Sequence, residues 1–68
     1  MTERLANRIK EKRGELGLTQ AELAERCGVT RKTVNTVENG IFVPSTLLAL
    51  KLAKALSVPV EQLFSIES

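Results

Sequence analysis

The sequence predicts an all-α chain, a compact bundle of five short helices, with a short β-pairing of the two chain ends as the one open variant. Three observations carry this. Apolar residues recur at helical intervals, as in Leu48, Leu52 and Leu56, the periodicity of a buried helix face. Gly17, Gly28 and Gly40 divide the first part of the chain into segments of helical length, and glycine just past a helix terminus is a common stop. The breaks leave connections of about two to five residues, which suit a helical bundle. The 68 residues are expected to form a single domain, since a chain of this length has no room for a second core.

The elements follow in order. A first helix is expected from about Glu3 to Leu16, with Leu5, Ile9 and Leu16 as its apolar stripe and Gly17 as its stop. Gly14 lies inside it and costs about 1 kcal/mol relative to alanine. Arg4-Leu5 extended as a short strand beside Phe64-Ser65-Ile66 is the competing arrangement for residues 1–6. Thr19 caps a second helix, Glu22 three residues on completes a capping box, and Gly28 ends it. Thr30 caps a third, which Gly40 stops. Two short helices joined by a tight turn, here residues 19–40, form the unit that lays its second helix in a DNA major groove. Pro44-Ser45 breaks the chain and caps a fourth helix from Thr46 to Leu56. Its buried arc is Leu48, Ala49, Leu52, Ala53 and Leu56, with Lys51 and Lys54 opposite. Val58-Pro59 forces an extended step, and Val60 to Phe64 makes a last helical turn.

The third helix carries the chemistry. Val34 and Val37 fall on one side, while Arg31, Lys32, Asn35, Thr36 and Asn39 fall together on the other. Guanidinium, ammonium, amide and hydroxyl groups are the chemistries that read base edges and hold phosphates. Two cations in the first turn and Glu38 in the last run against the helix dipole, each misplaced by roughly 0.3–1 kcal/mol. An ordinary solvated face is the plain alternative, but it leaves these charges without a reason.

Composition narrows the partner. The net charge is only +2, with five basic and three acidic residues in 1–16 and two acidic and no basic residues in 61–68. Positive charge therefore has to be concentrated on part of the surface to serve a polyanion. Phe42 and Phe64 are the only aromatic residues, too few for the stacking platforms that single-stranded nucleic acid and RNA require. Duplex DNA fits better. The chain has no histidine and one cysteine, Cys27, so neither a zinc site nor an internal disulfide is expected. Cys27 shares the inner helix face with Leu23 and Ala24 and reads as core. An unpaired thiol suits a reducing cytoplasm, and no apolar run is long enough for a membrane span. No nucleophile–base pair or phosphate-cradling glycine loop is present, so no enzyme and no cofactor are expected.

Taken together, Asn7-Arg-Ile-Lys10, Leu16-Gly-Leu-Thr-Gln-Ala-Glu-Leu-Ala24, Glu38-Asn-Gly40, Pro44-Ser45, residues 52–58 and Glu61-Gln-Leu-Phe64 resemble the Cro/repressor (lambda-repressor-like, Xre-type) helix-turn-helix family. The likeness runs from about Asn7 to Phe64. It implies a lambda-repressor-like bundle and sequence-specific duplex-DNA binding. Gln20 matches a glutamine that bonds a phosphate and braces the recognition helix. Thr30, Arg31, Lys32 and Thr36 match positions that reach base edges; Asn35 shares their face and suits either task. Thr33 and Asn39 match positions that touch the DNA backbone. Arg13 and Glu38 match a buried ion pair joining the first helix to the third.

The chain also departs from that pattern. Where many phage relatives carry phosphate-gripping basic residues after the recognition helix, it has Ile41-Phe42-Val43. Leu47 sits on the outward arc of the fourth helix with Lys51 and Lys54, where a polar residue is more usual. Clustered exposed apolar side chains suggest a protein interface. Phe42, Val43, Leu47 and Ile66 are therefore expected to help bury a homodimer contact. The alternative is that Ile41-Phe42-Val43 folds over the domain's own core. No small-molecule ligand is expected. An antitoxin that neutralises a protein partner and a restriction–modification controller protein are the rival expectations within the same fold.

Overall fold

A computed structural model describes residues 3–68. The order of elements is β1 (Arg4–Asn7), α1 (Ile9–Glu15), α2 (Gln20–Cys27), α3 (Arg31–Glu38), α4 (Thr46–Ala55), α5 (Val60–Leu63) and β2 (Phe64–Glu67). The strands pair antiparallel, with Leu5 opposite Ile66 and Asn7 opposite Phe64. Five helices with a two-stranded ribbon joining the chain ends agree with the expected five-helix bundle and its terminal β-pairing.

Local sequence accounts for the helix boundaries. The Thr19 hydroxyl accepts from the Glu22 backbone N–H at 3.0 Å, and the Glu22 carboxylate accepts from the Thr19 N–H at 2.9 Å. This reciprocal pair satisfies two donors that the first turn leaves without partners. It also holds the Glu22 pKa below its usual range, chiefly through the bond from the Thr19 backbone. Gly28 closes α2 at φ 69°, a left-handed conformation in which a side chain would be strained. Thr30 and Ser45 cap α3 and α4 in the same manner, each hydroxyl accepting from a backbone N–H three residues on.

The core is a single cluster drawn from every helix. Ile9, Leu23, Val34, Val37, Leu52 and Leu63 are almost wholly buried. Each contributes roughly 1.5–3 kcal/mol by leaving water. Cys27 is buried among them, and loss of solvent pushes its thiol pKa up. Leu48, Ala53 and Leu56 complete the buried side of α4, while Ala49 is only half-buried.

Two expectations are corrected. Residues 3–7 do not extend the first helix; Arg4–Asn7 form β1, the competing arrangement beside Phe64-Ser65-Ile66, and α1 begins at Ile9. Asn7 marks the break: its side-chain oxygen accepts from the Ile9 N–H at 3.1 Å, which caps the new helix instead of continuing an old one. The apolar stripe changes with it. Leu5 pairs across the ribbon, Leu16 is 49% exposed, and Leu18 takes the core place expected of Leu16. The residues 1–2 assigned with that segment lie outside the described residues.

Candidate nucleic-acid interface

α2 and α3 pack against each other across the Gly28 turn, and the sequence assigns each side of α3 its task. Val34 and Val37 enter the core. Arg31, Lys32, Asn35 and Asn39 are exposed, and Thr33 and Thr36 are half-buried. The first turn of α3 contains no acidic residue and the last turn no basic one, so its charges oppose the macrodipole. Neither Arg31 nor Lys32 takes part in any salt bridge among the described residues.

The hydroxyls at the start and middle of this helix are bonded to its own atoms. Thr30 bonds the Thr33 N–H and the Thr33 hydroxyl, and the Thr36 hydroxyl donates to the carbonyls of Lys32 and Thr33 at 3.1 and 3.0 Å. The two long cations are the groups free to reach outward. With Gln20 and Asn35 they line a shallow concavity of about 500 Å³.

Behind this face lies a polar link between three helices. Arg13 donates to both oxygens of Glu38, from Nε at 2.9 Å and from Nη2 at 3.1 Å. The Glu38 side chain is only 4% exposed and that of Arg13 16%. The bidentate geometry raises the Arg13 pKa, first through the hydrogen bond to Glu38. Arg13 Nη1 also donates to the Leu18 carbonyl at 2.9 Å, so most of the guanidinium is satisfied. Because desolvation offsets much of the attraction, the pair orients α1 against α3 more than it stabilises the fold.

The same carboxylate accepts from Gln20 Nε2 at 3.2 Å. Gln20 Oε1 accepts from Asn35 Nδ2 at 3.3 Å, and Asn35 Oδ1 accepts from Asn39 Nδ2 at 3.2 Å. Gln20 and Asn35, which sequence reading placed in separate roles, thus touch. Asn7 is the residue that reading missed. Its Nδ2 donates to the carbonyls of Val37 and Glu38 at 3.1 and 3.3 Å, covering the free end of α3. Its place in the Asn7-Arg-Ile-Lys10 segment was the available signal, and this does not reveal a partner on α3.

Phe42, Val43, Leu47 and Ile66, named for a protein contact, stand 48%, 68%, 63% and 72% exposed. Ile41 and Leu50 are exposed as well. Ile41-Phe42-Val43 therefore does not close over the domain's own core.

Residues 9–63 match the profile of the helix-turn-helix family. The chain belongs to that family. It is of the Xre/Cro type and acts by binding DNA as a transcriptional regulator, not as an enzyme. An uncharacterized HTH-type transcriptional regulator of Bacillus subtilis, YgzD, is 48% identical over 63 residues, covering 93% of this chain and 96% of its own. An uncharacterized HTH-type regulator of Methanothermobacter thermautotrophicus is 58% identical over 48 residues, 71% of this chain and 70% of its own. Among solved structures, the restriction-modification controller protein C.AhdI of Aeromonas hydrophila superposes with a TM-score of 0.77 at 38% identity. That match covers 81% of this helix-turn-helix chain and 83% of the controller. No helix among the described residues is long and apolar enough to cross a membrane, and no three side chains there gather as metal ligands would.

Proposed function

We propose that the protein is a sequence-specific repressor that binds duplex DNA as a homodimer on a roughly palindromic operator. The observation that carries this is the first turn of α3, where Arg31 and Lys32 stand exposed and unpaired against the helix dipole. Either residue can donate to guanine O6 and N7, worth about 1–3 kcal/mol of discrimination when both bonds form. Thr30 and Thr36 flank them at the base edges, and Asn35 shares the face. Gln20, Thr33 and Asn39 hold phosphate. Phosphate contacts set the register and make affinity fall with salt.

A second copy completes the reading. Phe42, Val43, Leu47 and Ile66 meet their counterparts, adding apolar burial that a core this small lacks. Two α3 helices then enter successive major grooves about 34 Å apart, giving half-sites spaced by roughly 10–10.5 bp. Regulation follows from protein concentration through the dimer equilibrium.

Selection of bound duplexes from a random pool at about 150 mM salt, near physiological ionic strength, tests the reading. Enrichment of a palindrome with that spacing supports it, whereas enrichment of unpaired single half-sites removes the dimer. The likeness to C.AhdI favours one variant, in which the protein is the controller of a restriction–modification system. A selected operator lying beside genes for a nuclease and a methyltransferase favours that variant.

A further inference from the structure

The chain of hydrogen bonds behind α3 has a direction, and its chemistry sets that direction. A carboxylate accepts and does not donate, whereas a primary amide offers a donor at one end and an acceptor at the other. Glu38 therefore requires the NH₂ end of Gln20 at 3.2 Å. That leaves the Gln20 oxygen facing Asn35, which answers with its own NH₂ at 3.3 Å. The Asn35 oxygen then faces Asn39, which answers likewise at 3.2 Å. Arg13 holds the anchoring anion in place with two bonds. One buried carboxylate thus determines which way three amides point on an otherwise exposed surface.

The consequence falls on Asn35. To read adenine, an asparagine presents its oxygen and its NH₂ together to N6 and N7. Here one N–H of its NH₂ goes to Gln20 and its oxygen accepts from Asn39, so pairing both with a base competes with the chain, whereas Gln20 keeps its second N–H for a single phosphate bond. Gln20 and Asn35 nevertheless line the same concavity as Arg31 and Lys32, so a fixed Gln20 amide stands beside the two cations.

We propose that Asn35 and Glu38 are positioning residues for DNA recognition: Glu38 directs the chain, Asn35 locks the Gln20 amide that holds phosphate, and base discrimination rests on Arg31 and Lys32 with their neighbours Thr30 and Thr36. This rests on the reading of α3 as the recognition helix, and two measurements on the full chain keep the two claims apart.

The first uses no DNA. The side-chain amide resonances of Gln20 and Asn35 are followed by NMR in the wild type, Glu38→Gln and Asn35→Ala. Glu38→Gln is expected to move the Asn35 amide, which Glu38 does not touch, and the shift is expected to vanish when Gln20→Ala is added. An unmoved Asn35 amide in folded Glu38→Gln overturns the chain. If Glu38→Gln fails to fold, Asn35→Ala keeps the ion pair and carries the same test: the Gln20 amide moves, or the proposal is wrong.

The second measures the base preference of Asn35→Ala at every operator position. Affinity is expected to fall roughly three- to tenfold, the scale of one hydrogen bond, equally for every operator sequence. Preference lost at a single position makes Asn35 a base reader and overturns the proposal, as does unchanged affinity. A wild type that selects no duplex overturns the assignment of α3 while leaving the amide shifts as predicted.

Discussion

Between Thr19 and Asn39, Thr19, Glu22, Gln20, Asn35 and Asn39 are joined by side-chain hydrogen bonds; from Ile41 to Leu50 five large apolar side chains stand exposed. In the first region the capping box, the Arg13–Glu38 pair and the Gln20–Asn35–Asn39 chain leave the two long cations of α3, Arg31 and Lys32, without a salt bridge among the described residues. In the second, Ile41, Phe42, Val43, Leu47 and Leu50 all stand about half or more exposed around the start of α4. One region is a hydrogen-bonded frame carrying exposed positive charge, which suits a polyanion whose groove has fixed geometry. The other is uncovered apolar surface, which suits a protein.

The largest break in that comparison is expected at Glu38. Glu38→Ala strands a guanidinium that is mostly buried and should cost about 3–5 kcal/mol, a large share of the roughly 3–10 kcal/mol available to a chain of this length. Thermal melting checks it, and a midpoint within about a degree of wild type would show that the frame does not depend on the pair. Leu47→Glu attacks the other region. It should leave the fold intact, because Leu47 is 63% exposed, and shift the proposed dimer towards monomer in sedimentation. An unchanged mass would remove Leu47 from the contact.

The capping box gives the smallest effects and sharpens the frame. Thr19→Ala should cost about 1 kcal/mol by chemical denaturation. Glu22 adds a pH dependence of known sign. Its folded-state pKa is lowered by the bonds from Thr19, so its contribution is fully present above the ordinary glutamate range and is lost as pH falls through the folded value. Melting curves of wild type and Glu22→Gln should converge on acidification. A gap that persists in acid would mean that the carboxylate charge is not what the box uses.

How far the sequence could be read differed between the two regions for physical reasons. α2 and α3 were legible because their ends are decided locally: Thr19, Glu22, Gly28 and Thr30 act on neighbours within five residues. The start of the chain was less so. β1 forms through a partner strand at the other end of the sequence, with Arg4 bonded to Glu67, and local pattern lets the same residues continue a helix. Leu16 was misplaced for a related reason, since α1 ends before it and Leu18 fills the core. The face of α3 followed from its period alone. The bonds from Asn35 to Gln20 and from Asn7 to the end of α3 did not, because they depend on how helices sit side by side.

The two exposed cations of α3, Arg31 and Lys32, are the groups proposed to read bases. The direct measurement is the operator base-preference profile of Arg31→Ala and Lys32→Ala, singly and together, against wild type. Each substitution should erase preference at one or two adjacent positions of every half-site, costing about 1–3 kcal/mol for the preferred sequence and little for the others. A uniform loss of affinity with the profile unchanged would make both residues phosphate contacts and place sequence reading elsewhere on the molecule.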